Sequence, residues 1–186
     1  MTSTLRPPHS AFAHTSPEPP LVGHQLGDLT RWYATQLRAG AFGPVRYGDP
    51  ARPGDPEARW HIRVHADDLI DVWVISWLPS QSTQLHDHGG SAGAFTVVEG
   101  VLTESVWSPG GTDRHEGVLR DREHRAHTTV AFDTDRVHDV RNLGTEPAVS
   151  VHVYSRPLQR MGYYDLHEGS LQLTSVLDTT DPEPSS

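Results

Sequence analysis

Cysteine is absent from this chain, and so is lysine: all fifteen basic residues are arginines. Without a thiol the chain can form no disulfide, no thiolate metal site and no cysteine nucleophile. Without an ε-amine it can form no Schiff base with a carbonyl substrate. Basic residues are outnumbered by 24 acidic ones, and the net charge of -9 argues against a nucleic acid or an anionic membrane as an electrostatic partner. No run approaches the roughly 20 apolar residues of a membrane span. The N-terminus also lacks a basic segment leading into an apolar one. The expectation is a cytoplasmic protein that acts on a small molecule, with nothing in the sequence to require more than a monomer.

A chain of 186 residues with 35% hydrophobic content can bury one ordinary core. Residues 1–20 contain five prolines and residues 176–186 are polar, so both ends are expected to be flexible tails around a single domain at 21–175. Leu26, Leu29, Trp32, Tyr33 and Leu37 recur at three- and four-residue steps, which predicts a helix that Gly40 can end. Residues 43–57 hold four prolines and three glycines and read as a loop.

Beyond the loop the apolar period changes to two. The segments 60–64, 69–78, 94–98, 101–107, 128–132, 137–140 and 149–154 are short, rich in β-branched and aromatic residues, and separated by turn formers. This pattern predicts an all-β sandwich or barrel with one short helical segment at its N-terminal side. Glu99-Gly100 suits a tight hairpin between two of the strands. No repeat of 20 to 50 residues is visible, which disfavours a propeller or solenoid.

Thirteen histidines are many for this length. His9, His14, His24, His115, His124, His127 and His167 lie among polar residues and read as surface side chains. His86-Asp87-His88 is different, because residues i and i+2 of an extended strand project to one face and can reach one metal ion together. Asp87 then points the other way. His138 lies about fifty residues on, in another short strand, followed four positions later by Asn142.

Together these residues resemble the two motifs of the cupin superfamily, in which His-x-His on one strand and a later single histidine converge inside a small double-stranded β-barrel. A usual cupin adds a glutamate ligand a few residues after His-x-His, and Gly93 stands there. The stretch His86 to Phe95, His-Asp-His-Gly-Gly-Ser-Ala-Gly-Ala-Phe, is similar to the bacterial branch of the cysteine dioxygenase family. That resemblance implies a metal centre of His86, His88 and His138 holding Fe(II). It also implies a catalytic relay of Ser150, His152 and Tyr154, which alternate on one strand face. Mammalian members carry a cysteine at the position of Gly93, crosslinked to the relay tyrosine, a bond this chain cannot make.

The family pattern further implies an arginine that reads the substrate carboxylate, assigned to Arg63 with Arg59 as the alternative. Tyr154-Ser155-Arg156-Pro157 departs from the Tyr-Ser-Pro-Pro expected of cysteine-specific members, so Arg156 or Arg160 could hold a carboxylate placed differently. Trp73 and Trp77 read as core residues that dry the cavity. The implied activity is addition of both atoms of dioxygen to the sulfur of a small thiol, L-cysteine first, giving the sulfinate. The alternatives are another thiol such as 3-mercaptopropionate, or a metal-binding cupin that only senses a ligand.

Overall fold

A computed structural model describes residues 19–53, 55–111 and 116–182. The helix forms where the apolar period places it. α1 spans Gly23–Arg38 and buries Leu26, Leu29, Tyr33, Ala34 and Leu37. At its end the N–H of Ala39 bonds to the Thr35 carbonyl and that of Gly40 to the Leu37 carbonyl. Gly40 takes the left-handed φ of 80° that stops the helix.

Eleven strands follow among the described residues: β1 His61–Ala66, β2 Asp71–Trp77, β3 Leu85–His86, β4 Ala92–Glu99, β5 Val101–Pro109, β6 Gly117–Arg125, β7 Thr129–Phe132, β8 His138–Arg141, β9 Ala148–Ser155, β10 Arg160–His167 and β11 Ser170–Asp178. They form two antiparallel sheets, ordered β1-β2-β9-β4-β7 and β11-β10-β3-β8-β5-β6. The all-β double-sheet barrel expected from the sequence is the fold. Among the described residues no helix is long and apolar enough to cross a membrane.

The first sheet is buried on both faces, which is why β2 reads Asp-Val-Trp-Val-Ile-Ser-Trp and not as a polar alternation. Ala92, Ala94, Val151 and Val153 pack with α1 on its outer face, in one cluster with Val72 and Val74. Trp73, Ile75, Trp77, Phe95, Val97 and Tyr154 point between the sheets, where Leu102 and Val140 of the second sheet meet them. In register, Trp73 and Phe95 flank His152, Ile75 and Val97 flank Ser150, and Asp71 and Gly93 flank Tyr154. The barrel interior therefore opens onto the three residues of the expected relay.

Several expectations need correction. Gly100 does adopt a positive φ of 75°, but β4 and β5 do not form a hairpin, since β4 belongs to the first sheet and β5 to the second. A Cβ on Gly100 would come 2.6 Å from the Pro147 carbonyl oxygen, so this corner needs both the conformation and the missing side chain. β6, β10 and β11 carry too many polar residues to read as strands, because each turns much of its surface to water. The polar segment expected as a tail from residue 176 instead completes β11 to Asp178. It continues as a strap, with the Thr179 N–H on the Gln159 carbonyl and Asp181 paired with His61. Residues 1–18 and 183–186, with His9, His14 and His115, lie outside the described residues.

Candidate metal centre

Strand pairing builds the centre. β3 is short and lies between β8 and β10, with His86 opposite His138 on one side and Tyr163 on the other. His88 follows β3 just before the Gly89-Gly90 turn. Asp87 faces away, as the i, i+2 reading requires: its carboxylate accepts the N–H groups of Gly89 and Gly162 and the Tyr164 hydroxyl. These bonds lock the turn to β10. The result is that His86, His88 and His138 are all buried, with one ring nitrogen from each within 4.8 Å of the others.

Two of these imidazoles are oriented by hydrogen bonds. His86 Nδ1 lies 2.8 Å from the Gln84 carbonyl, and His138 Nδ1 lies 2.7 Å from Glu104 Oε1. Each Nδ1–H is thereby committed, which leaves Nε2 as the lone-pair nitrogen. His138 Nε2 and both nitrogens of His88 are buried without a hydrogen-bond partner among the described residues. Orphaned imidazole nitrogens converging on one point are what a divalent metal ion satisfies, so the residues fit such an ion. Burial, then the neighbouring His138, lowers His86 to a pKa of about 3; burial, then His86, takes His88 well below its ordinary value. Both rings are neutral and ligand-ready at pH 7.

Glu104, which the sequence reading did not single out, is buried at 1% exposure between His138, His124 and Arg136. Burial pushes its carboxyl up, but the bonds from His124 and His138 and the Arg136 charge outweigh this and hold it at about 2. His124 is therefore not a surface residue. It stands on β6 facing β5 and supports Glu104 with an Nε2–Oε2 contact of 3.0 Å. One signal was available: Glu104 sits two residues after the buried Leu102, in phase with the inward face of β5.

Ser150, His152 and Tyr154 lie on the inward face of β9, all buried. Ser150 Oγ is 2.8 Å from His152 Nε2, and the His152 and Tyr154 rings stack at 6.3 Å and 27°. The Tyr154 ring is 5.0 Å from that of His88, so relay and metal ligands share one interior. Trp77 is a core residue but also a member of this chain, since its Nε1–H donates to Ser150 Oγ at 2.8 Å. An indole can only donate, so the Ser150 hydrogen is left for His152 Nε2.

The arginines separate. Arg63 on β1 is exposed, stacked over Trp73 at 4.5 Å and bonded to the Thr180 carbonyl. Trp73 stands between it and His152 in the register, so the structure sets Arg63 apart from the interior where it was expected. Arg59 lies over Trp77 at 5.1 Å, donates to the Ser82 carbonyl, and is close enough to disfavour protonation of both His86 and His152. It lines a cavity of about 490 Å³ together with Ser82, His86, Met161, Tyr163 and Leu177. Arg156 reaches the Asp68 carbonyl and Arg160 pairs with Asp178, so neither is on that wall.

Three buried imidazoles converging inside a double-sheet antiparallel barrel define a cupin with a site fit for a metal ion. The chain belongs to the cysteine dioxygenase type I family, whose sequence model matches residues 54–167, more than half of its length. Human cysteine dioxygenase type 1 is 26% identical over 103 residues, covering 54% of this chain and 52% of the human protein. The zebrafish protein of the same name is 27% identical over 108 residues. The chain thus spans about half the length of the curated relatives it matches. Among solved structures, a Silicibacter pomeroyi protein described as a sugar phosphate isomerase from a cupin superfamily is 20% identical, with a TM-score of 0.48 over 69% of this chain and 85% of that one.

Proposed function

We propose that this chain is an iron(II) thiol dioxygenase that converts L-cysteine to cysteine sulfinate. The observation that carries the proposal is that the three-histidine set and the Ser150-His152-Tyr154 strand face share one interior, with Arg59 on the wall of a cavity that reaches His86. Membership of the cysteine dioxygenase type I family supports it. The balance closes without a further reductant: RSH and O2 give RSO2H, with sulfur supplying the four electrons that dioxygen takes.

His86, His88 and His138 would hold the metal, and among the described residues no carboxylate joins that set. Bound there, Fe(II) would supply a coordination site for the thiolate and redox access to dioxygen. The remaining work falls to the protein. Arg59, its guanidinium over the Trp77 ring, would offer charge-assisted N–H donors to the substrate carboxylate. Tyr154 contributes a hydroxyl donor beside the ligands, and the Trp77–Ser150–His152 chain fixes the imidazole that backs it. Burial, then His138, lowers His152 to about 3, so it stays neutral and serves as a hydrogen-bonding support rather than a cation.

The test is to load the protein with Fe(II) anaerobically, supply cysteine or 3-mercaptopropionate, admit oxygen, and identify the product by mass. Gain of two oxygen atoms on cysteine is expected. A gain mainly on 3-mercaptopropionate would replace the substrate. No gain on any thiol with iron bound would overturn the oxygenase reading and leave a ligand-binding cupin.

A further inference from the structure

His86 and His138 each have the nitrogen that faces away from the site tied to an acceptor, but His88 does not. A metal ion takes one of its two nitrogens. The other has no hydrogen-bond partner among the described residues, although metal-bound imidazoles are ordinarily oriented through that second N–H. Something else must set the plane of this ring. Two aromatic side chains lie against it: Phe132 is stacked on it at 4.9 Å and 23°, and Tyr154 lies at 5.0 Å and 38°.

The backbone makes room for these rings at one position. Gly93 on β4 is paired with Phe132 on β7 and with Tyr154 on β9. A Cβ there would come 2.5 Å from Phe132 Cζ, 2.6 Å from Cε2 and 3.1 Å from Tyr154 Cδ1. The Phe132 ring occupies the space that any side chain at residue 93 would need. Phe132 also lies 5.1 Å from the His138 ring, so it touches two of the three ligands.

We infer that Phe132 is a positioning residue of the metal centre: with Tyr154 it clamps the His88 ring by packing, in place of the hydrogen bond that orients the other two ligands, and residue 93 is glycine to admit it. The role is specific to this ring, because Phe95, equally buried, stacks on His152 and not on a ligand. The inference rests only on the metal-binding part of the proposed function.

It is tested without turnover, by chelator competition for Fe(II) and by the visible absorption of the Co(II)-loaded protein, both without oxygen or thiol. Phe132→Leu keeps apolar bulk but loses the flat face. It is expected to weaken Fe(II) binding about tenfold or more and to alter the Co(II) bands, whereas Phe95→Leu should change neither. Gly93→Ala, which displaces Phe132 from the other side, should give the same spectral change, and the double variant should lose less than the sum of the two. Parent affinity and unchanged Co(II) bands in both Phe132→Leu and Gly93→Ala would overturn the clamp. Failure of the parent protein to bind either metal would overturn the metal-centre reading itself.

Discussion

At the scale of single residues, the least expected contributor is Glu104. Its ionised carboxylate accepts from His138 Nδ1 and so determines which nitrogen of that imidazole is left for a metal. Glu104→Gln keeps the shape but weakens that acceptor, and Fe(II) affinity is expected to fall about tenfold or more in a chelator competition. The arginines give a second, paired expectation. Arg59→Met should raise KM for cysteine about tenfold or more, as loss of a charge-assisted carboxylate contact does, with a smaller change in kcat. Arg63→Met should leave both constants near the parent values, because its guanidinium sits over Trp73 at the outer edge of the sheet. Steady-state kinetics on the two variants separates the assignments, and a KM effect in Arg63→Met alone would restore the first.

At the scale of elements, the central strands do two jobs at once. β2, β4 and β9 put apolar residues into the core that α1 covers with one face and present His152, Tyr154, Trp77 and Phe95 to the interior with the other. The helix is thus a cover for the far side of the sheet and touches none of the ligands. Leu26→Ala, at a fully buried position of α1, should destabilise the fold by about 2–5 kcal/mol through the cavity it leaves. Metal affinity of the folded fraction should not change, and urea unfolding alongside metal titration checks both halves. Helix period and strand alternation were legible in the sequence wherever an element buries a continuous apolar face. They failed for β6, β10 and β11, where the face toward water is polar and the strand is defined by pairing with a neighbour rather than by its own pattern.

For the whole molecule, burying neutral histidines makes stability depend on pH. His86 and His152 have folded values of about 3 and His88 is also far below its ordinary range, whereas in an unfolded chain such imidazoles titrate near 6.5. Between about pH 3 and 6.5 the unfolded chain binds up to three more protons at these sites, so stability rises with pH across that window and is lost as pH falls through it. Asp71 works against this. Burial raises its carboxyl to about 6, so the folded chain keeps a proton that the unfolded chain releases between about pH 4 and 6. With about two protons net and about 1.4 kcal/mol per proton per pH unit, the metal-free protein should lose about 2–3 kcal/mol per unit at the steepest part. Urea midpoints at pH 7, 6 and 5 measure this, and a flat profile would mean that the imidazoles are not neutral in the folded state. Metal at pH 7 should raise the midpoint, since it binds the folded site preferentially.

By itself the sequence determined the all-β class, the amphipathic helix, and which residues of His86-Asp87-His88 and of Ser150 to Tyr154 share a strand face. Each of these is written in a local period: two for strands and for His86-x-His88 and Ser150-x-His152-x-Tyr154, about 3.6 for α1. What only the tertiary structure decided is whatever depends on which strand lies beside which. Gly100 required a left-handed φ in either case, and the φ does not say whether the next strand turns back or crosses to the other sheet. Arg59 and Arg63 are chemically identical, and tertiary packing set one over Trp77 on the cavity wall and the other over Trp73. Glu104, His124 and Phe132 came to the metal centre because β5, β6 and β7 bring them there from tens of residues away in sequence, a distance over which no local pattern carries information.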